Sequence, residues 1–306
     1  MLKLLGLIKK NFGEDEVTLA DKTIIWDLDN TLYRITPEFA DMLDEATAIA
    51  AIEDLGVPLN FEEAKAKVKE SYMTYRDGGE IFVQQYGIDP EAMFQAYHKR
   101  KPIAPIVPYE NLLEKLESLP NEQYIFSTST HEVCEKILKH IGLYDFFKGR
   151  FYSVEDFGTV KKNESSDVYA KLCRRINADP KNCIFVDDSY SNLEFAKELG
   201  MTTVRIFYNE NSAKDKTYID AAYKGINSFL DEYLRRFRST AIPRLRLQVL
   251  RPAPVKPATE VAFHLIIGLI VELALLLHEF ALEVAYQRFD FSNIHFGQRI
   301  GRFVDF

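Results

Sequence analysis

The chain has 306 residues, 47 % of them hydrophobic, and a formal net charge of −8. This length allows about two domains, and so much apolar content excludes a disordered chain. The negative charge argues against a general nucleic-acid-binding protein, because such proteins need a basic surface that displaces counterions from phosphates. The three cysteines lack metal-ligand spacing, which fits a reducing compartment, and the apolar run within residues 1–10 is too short for a signal peptide. We therefore expect a cytoplasmic protein.

Asp27 and Asp29 stand at the end of the first predicted strand, Thr23–Leu28. In an extended chain, residues two apart point to the same side, so both carboxyl groups face one site. One interpretation is a nucleophilic aspartate beside a second carboxyl that acts as acid and base, with a divalent cation that balances their charges. The other interpretation is an Asp-Asn turn that ends the strand.

Residues 37–105 contain no convincing strand pattern and are predicted to be helical. Apolar residues recur at helical spacing in three segments that are separated by glycines and a proline. A helical insertion placed directly after the first strand could act as a cap that closes over the sheet edge, excludes water and contacts the substrate. A helical layer without mobility is the alternative. The predicted helices are Glu38–Leu55, Phe61–Tyr75 and Pro90–Lys99.

The second predicted strand, Gln123–Ser127, ends in hydroxyl-bearing residues just before a helical pattern. Hydroxyls and free backbone N–H groups at the start of a helix can bind a phosphate, so Ser127 and Thr128 are candidate phosphate ligands. Ser129 or Thr130 could instead serve only to cap the helix that follows.

A lysine pair, Lys161 and Lys162, lies in a predicted loop ahead of a helical pattern. One ammonium group that reaches the aspartates would offset the repulsion between them and a phosphoryl dianion. Loop lysines are usually solvated, so solvent exposure is the alternative interpretation for both residues.

Two further acids, Asp187 and Asp188, follow the next predicted strand, Cys183–Val186. Oxygen-rich sites of this kind suit Mg²⁺, which usually takes one or two protein carboxylates and keeps several waters. The alternative is that one of the two aspartates only supports the loop.

Apolar, β-rich segments alternate with helical patterns up to the last predicted strand, Thr202–Ile206. This order predicts an α/β fold in which crossover helices connect parallel strands. Three of the four predicted strands run into polar residues, and in open α/β sheets ligands bind at that edge. The predicted crossover helices are Glu132–Ile141, Ser165–Ile176 and Ser191–Leu199.

The composition changes after residue 232. Residues 233–260 are predicted to be a basic, proline-rich linker, and residues 261–306 an apolar helical tail. The apolar run of the tail only reaches the lower limit for a bilayer span, and Glu272 within it disfavours insertion. Glu272, Glu279 and Glu283 share one helical face, which favours an amphipathic helix that packs on protein or lies at a membrane surface. Packing or self-association is the preferred interpretation of the two. A tail without a folded role is the third possibility.

The four motifs resemble, in kind and order, those of the haloacid dehalogenase-like phosphohydrolase superfamily: a DxD strand, a Ser/Thr strand end, a lysine and an acidic pair. The resemblance covers about residues 23–206. The phrases Tyr86-Gly87-Ile88-Asp89-Pro90 and Ala96-Tyr97-His98 are similar to the pyrimidine 5'-nucleotidase branch. That branch commonly has Thr-Asn in place of Ser127-Thr128, Lys-Pro in place of Lys161-Lys162-Asn163, and Tyr-Gly-Thr-Thr in place of Tyr75-Arg76-Asp77-Gly78.

The resemblance implies a Rossmann-like parallel core formed by residues 18–36 and 106–232, with residues 37–105 as an inserted helical cap. It also implies Mg²⁺-dependent hydrolysis of a phosphomonoester through an aspartyl-phosphate intermediate. In that reaction Asp27 is the nucleophile and Asp29 the acid and base. Dehalogenases of this fold lack the second acid, so Asp29 favours hydrolysis of a phosphate ester.

The resemblance also implies which residues bind the metal, the phosphate and the rest of the substrate. The implied Mg²⁺ ligands are Asp27, the backbone carbonyl of Asp29 and Asp188, with Asp187 nearby. The implied phosphate ligands are Ser127, Thr128 and Lys162, with Lys161 as the alternative lysine. The candidates for contacts with a base or sugar are Tyr72, Tyr75, Arg76 and His98, and packing or a solvated surface is the alternative for each.

The implied substrate is a small phosphorylated metabolite, a nucleoside 5'-monophosphate in the nucleotidase branch, and no nucleic-acid partner is expected. Phosphoglycolate and sugar phosphates are alternative substrates. The alternative to an enzyme is a non-catalytic scaffold of the same fold with a membrane- or partner-binding tail.

Overall fold

The computed structural model describes residues 21–209 and 216–236, in which the strands form one parallel sheet. The strands are β1 (Thr23–Trp26), β2 (Gln123–Ser127), β3 (Phe151–Ser153), β4 (Cys183–Asp187), β5 (Thr202–Phe207) and β6 (Ala221–Lys224). Their order across the sheet is β3-β2-β1-β4-β5-β6. This is the Rossmann-like α/β fold that the sequence predicted.

Ten α-helices accompany the sheet within the described ranges. They are α1 (Pro37–Ile49), α2 (Phe61–Tyr75), α3 (Glu80–Tyr86), α4 (Pro90–Arg100), α5 (Leu112–Glu117), α6 (His131–His140), α7 (Tyr144–Phe147), α8 (Asp167–Arg175), α9 (Tyr190–Glu198) and α10 (226–236). A π-helical turn, Ala50–Asp54, continues α1, and short 3-10 helices cover Val154–Phe157 and Pro180–Asn182.

Apolar clusters cover both faces of the sheet. Ile24 and Trp26 of β1 belong to one buried cluster, whereas Ile25, which points to the other face, belongs to a second. A strand that is apolar on both faces is typical of the centre of a parallel sheet. β1 therefore lies in the middle of the sheet, and its carboxyl end is surrounded by the ends of β2 and β4.

The strand register brings the polar residues together at one edge. Trp26, the last residue of β1, pairs with Ile125 of β2 and with Val186 of β4. The backbone N–H of Asp27 still donates to the Val186 carbonyl, at 2.8 Å. The polar residues that follow each strand consequently meet at the carboxyl edge of the sheet, as expected for a ligand site in this fold.

Helices α1–α4, which we call the insertion, pack around an apolar cluster of their own that includes Val68, Phe82 and Met93. At the start of α2, Asn60 and Glu63 form reciprocal side chain to backbone hydrogen bonds of 3.0 Å, a capping box. Residues 37–105, all described, contain no strand. This part of the helical prediction is confirmed, and α3 is a helix that the sequence pattern did not indicate.

The C-terminal part of the described chain differs from the sequence prediction. Helix α10 places Ile226, Phe229, Leu230 and Tyr233 on one buried face, so the helix continues past the predicted linker boundary at residue 232. The tail predicted over 261–306, and most of the linker before it, lie outside the described residues. Within the described residues, none of the helices combines the length and apolarity that a membrane span requires.

Candidate active site

Asp27 lies directly after β1 and is buried in the centre of the carboxyl edge. Its Oδ1 atom accepts a hydrogen bond from the Lys162 ammonium at 2.5 Å. Asp27 is therefore held between the sheet and the lysine, with its carboxyl group at the rim where ligands bind.

Lys162, and not Lys161, reaches the aspartates. The Lys162 ammonium also donates to Asp187 Oδ2 at 3.0 Å and to the Phe126 carbonyl at 2.9 Å, and its side chain is fully buried. Burial alone would lower the pKa of Lys162, but Asp187 and Asp27 raise it above its ordinary value, so Lys162 remains an ammonium ion. Lys161 instead pairs with Glu80 of α3.

Asp187 is the last residue of β4, Asp188 follows it, and both face Asp27. Asp187 accepts hydrogen bonds from the Ser189 N–H at 2.7 Å and from the Asn192 amide at 3.0 Å. Asp188 accepts one from the Asn30 amide at 2.7 Å. Carboxylate oxygens of Asp27, Asp187 and Asp188 all lie within 4.8 Å of one another.

This carboxylate cluster carries more negative charge than the Lys162 ammonium balances. Burial, and then repulsion from Asp187, raises the pKa of Asp188 to about 7. Burial also raises the pKa of Asp27 well above its ordinary value, although Lys162 opposes this shift. A cation bound among these oxygens would remove the cost of keeping both groups ionised. A donor set of carboxylate oxygens fits Mg²⁺.

Asp29 lies in a second, separate cluster made of hydroxyls and an ammonium group. Its Oδ1 atom accepts hydrogen bonds from Lys101 Nζ, at 2.5 Å, and from the Tyr33 hydroxyl. Its Oδ2 atom accepts hydrogen bonds from Ser129 Oγ, at 2.7 Å, and Ser127 Oγ, at 3.3 Å. Burial would raise the pKa of Asp29, but the Lys101 charge and these hydrogen bonds lower it overall. Asp29 is therefore a carboxylate in the free protein.

The hydroxyl residues after β2 have different environments. Ser127 and Ser129 are buried beside Asp29, and the Ser129 N–H donates to Ser127 Oγ at 3.0 Å. Thr128 is half-buried and lines the cavity above the site. Thr130 caps α6 by accepting from the Val133 N–H. Of the two residues that the sequence offered as helix caps, Thr130 is the cap, whereas Ser129 contacts Asp29.

A cavity of about 810 Å³ lies between the carboxyl edge and the insertion. All four residues of the insertion that the sequence singles out for substrate contacts line it, namely Tyr72, Tyr75, Arg76 and His98. Tyr75 and Arg76 are exposed at the end of α2, where Arg76 adopts a left-handed conformation with a φ of 62°. His98 is buried, and its Nδ1 atom donates to the Phe94 carbonyl at 2.8 Å.

His98 gives the protein a predictable response to acid. Burial, with a smaller effect from the Lys101 charge, lowers the pKa of His98 to about 3, whereas an unfolded chain titrates near 6.5. Between these values only the unfolded state binds the proton, so stability falls as the pH drops below about 6.5. We expect this loss to be smaller in His98→Asn, which keeps a donor but does not titrate. Thermal unfolding of both proteins between pH 7 and pH 4 measures the difference, and parallel curves would contradict it.

Four residues of the site were not singled out by the sequence: Asn30, Tyr33, Lys101 and Ser129 in its contact with Asp29. Asn30 and Tyr33 lie one and four residues after Asp29, so their proximity to the site could have been predicted from the sequence. Lys101 contacts Asp29 across 72 positions of the chain and belongs to no motif, so no sequence signal pointed to it.

Comparison with known proteins identifies the fold family. A model of the haloacid dehalogenase-like hydrolase family matches residues 22–200. A phosphatase of this kind from Thermococcus onnurineus is 19 % identical with a TM-score of 0.47, and the match covers 69 % of this chain and 97 % of that chain. L-2-haloacid dehalogenase from Xanthobacter autotrophicus is 15 % identical with a TM-score of 0.45, over 71 % and 98 %. Because the family model spans more than half of the sequence, the chain belongs to the haloacid dehalogenase-like hydrolases.

Proposed function

We propose that this hydrolase is an Mg²⁺-dependent phosphomonoesterase that forms an aspartyl-phosphate on Asp27. The observation that carries the proposal is the different environment of two neighbouring carboxyl groups. Asp27 lies among the carboxylates and Lys162, whereas Asp29 lies among hydroxyls and Lys101. Two carboxyl groups with contrasting surroundings are typical of sites in which one is the nucleophile and the other transfers protons.

In the first step, an oxygen of Asp27 forms a bond to phosphorus, and the bond from phosphorus to the ester oxygen breaks. The electron pair stays on the ester oxygen, which takes a proton from Asp29. Asp29 is ionised in the free protein, but the negative charge of a bound phosphoryl group beside it would raise its pKa and favour the protonated form. Lys162 and Ser127 would contact the phosphoryl oxygens.

In the second step, Asp29, now a carboxylate, takes a proton from water while that water attacks phosphorus. The bond from phosphorus to Asp27 breaks, and phosphate and the original carboxylate are restored. Asp27, Asp188 and the backbone carbonyl of Asp29 would hold Mg²⁺, with Asp187 nearby. The ion would neutralise charge on the phosphoryl oxygens.

Nucleoside 5'-monophosphates are our proposed substrates. The cavity of about 810 Å³ is much larger than a phosphoryl group needs and lies within the range of small-molecule sites. Tyr72 and Tyr97 line it and offer aromatic faces with hydroxyl groups, which suit a base and sugar. Asp44 and Asp77 also line it and would repel a second carboxylate, which disfavours phosphoglycolate.

A phosphate-release assay with Mg²⁺ tests the proposal on UMP, CMP, phosphoglycolate and a sugar phosphate. We expect turnover of the nucleotides to exceed that of phosphoglycolate, and excess EDTA to remove it. Equal, weak turnover of all four would contradict the nucleotide assignment. No Mg²⁺-dependent phosphate release from any of them would favour the non-catalytic scaffold.

Mg²⁺ binding should also be visible without turnover. We expect MgCl₂ to raise the melting temperature, because a ligand at about 100 times its Kd stabilises the folded state by about 2.7 kcal/mol. Asp188→Asn should lose most of this shift, since it removes one carboxylate of the cluster. Asp44→Asn, which changes a cavity acid outside the cluster, is the matched control and should keep it. An unchanged shift in Asp188→Asn would contradict the metal assignment.

A further inference from the structure

Lys101 is a buried lysine that contacts the acid of the proposed reaction. Its ammonium lies 2.5 Å from Asp29 Oδ1 and 2.7 Å from Ser129 Oγ, and Ser129 Oγ lies 2.7 Å from Asp29 Oδ2. The three side chains thus form a closed triangle of hydrogen bonds. The side chain of Lys101 is only 3 % exposed, so its ion pair with Asp29 is shielded from solvent, unlike a surface salt bridge.

The end of α4 determines where Lys101 lies. Pro102 disfavours helical geometry at the residue before it, and Lys101 accordingly leaves the helix with a ψ of 117°. The side chain therefore departs from the helix end toward the carboxyl edge of the sheet, where it also lines the cavity. Lys101, at the end of the insertion, thereby contacts Asp29 of the core.

The Ser129 vertex of the triangle is itself fixed by the core. Its carbonyl accepts hydrogen bonds from Ser153 Oγ at 2.7 Å and from the Cys134 thiol at 3.4 Å. Lys101 and Ser129 thus hold different oxygens of Asp29 from two sides. An arrangement that fixes both oxygens restricts rotation of the carboxyl group, which neutralisation of its charge alone would not require.

We propose that Lys101 is a positioning residue that, together with Ser129, orients Asp29 toward the leaving-group oxygen of the substrate. This inference rests on the proposed function, because it assigns Lys101 a role through the proton transfer made by Asp29. Its loss should therefore matter most where the departing oxygen needs a proton. A lysine that only supports the fold would affect all substrates alike.

Two aryl phosphates of similar shape test the proposal. Phenolate is a strongly basic leaving group that benefits from protonation, whereas p-nitrophenolate leaves readily without it. We expect Lys101→Met to lower kcat on phenyl phosphate by about 10- to 100-fold and kcat on p-nitrophenyl phosphate by less than about 3-fold. KM for both esters should change little, since Asp27 and Lys162 are intact.

Four further variants keep the test decisive. Lys101→Arg should retain most of the wild-type activity on phenyl phosphate. Ser129→Ala should lower kcat less than Lys101→Met does, but again more on phenyl phosphate than on p-nitrophenyl phosphate. Lys101→Gln takes the place of Lys101→Met if the methionine variant does not fold. Lys65→Met removes a lysine that also pairs with two carboxylates, Asp41 and Glu45, but lies outside the cavity, and it should change neither rate.

Equal losses of kcat on both esters, or no loss on either, would overturn the role of Lys101. The proposed function would still stand in that case, provided that turnover by the wild-type protein depends on Asp27. Absence of Asp27-dependent turnover in the wild-type protein would overturn the proposed function, and the role of Lys101 with it.

Discussion

Replacing Asp27 with asparagine is expected to lower phosphate release by at least about 1,000-fold, as the loss of a covalent nucleophile does in other hydrolases. An amide oxygen is too weak a nucleophile to attack phosphorus at a useful rate. Asparagine keeps the size of the side chain and an oxygen for Lys162, so binding of substrate should change much less. A malachite-green assay at saturating substrate, with the detection limit set by an enzyme-free blank, measures the effect.

Asp41→Asn is the matched control for this substitution. Asp41 is an acid of α1 that pairs with Lys65 and Lys69 on the surface of the insertion, outside the cavity. It should retain wild-type turnover. If Asp27→Asn released phosphate at the wild-type rate, a nucleophile other than Asp27 would have to be found.

Replacing Lys162 with methionine is expected to cost about 3–5 kcal/mol of folding free energy, the usual effect of removing one partner from a buried ion pair. The Lys162 ammonium contacts Asp27 and Asp187, both buried, and methionine of similar length offers them no hydrogen bond. Phosphate release should also fall, because the ammonium no longer offsets the charge of the phosphoryl group. Urea unfolding in EDTA measures the change in stability.

Lys161→Met is the control for the stability effect. Its pair with Glu80 is partly exposed, and such pairs contribute about 0–1 kcal/mol. We also expect MgCl₂ to stabilise Lys162→Met more than the wild-type protein, because a divalent cation can replace part of the missing positive charge. A loss below about 1 kcal/mol in EDTA would show that the carboxylates do not depend on Lys162.

The sequence predicted the centre of the sheet because buried apolar strands carry a clear pattern. β1, β2, β4 and β5 were all expected, with ends that differ from the observed ones by at most two residues. β3 has three residues, and β6 lies at the sheet edge with alternating partial exposure. β3 is too short for a pattern to distinguish it from a loop, and β6 lacks the buried apolar run of the four strands that were predicted.

The site was predictable where function depends on the end of a strand, and not where it depends on tertiary contacts. Asp27, Asp187 and Asp188 each lie at or just after the end of a strand, so their meeting at one edge followed from the topology. Lys161 and Lys162 are adjacent, and only the path of the loop decides that Lys162 faces the core and Lys161 faces α3. The end of α4 was predicted to within one residue, but no motif indicates that Lys101, which leaves the helix there, contacts Asp29.

Trapping the covalent intermediate tests the proposed mechanism most directly. A ³²P-labelled substrate is mixed with excess enzyme and MgCl₂, quenched in acid within milliseconds, and the protein is digested and mapped. We predict an alkali-labile label on the peptide that contains Asp27, absent from Asp27→Asn. Phosphate release in a single turnover without any protein-bound label, or with the label on another residue, would exclude Asp27 as the nucleophile.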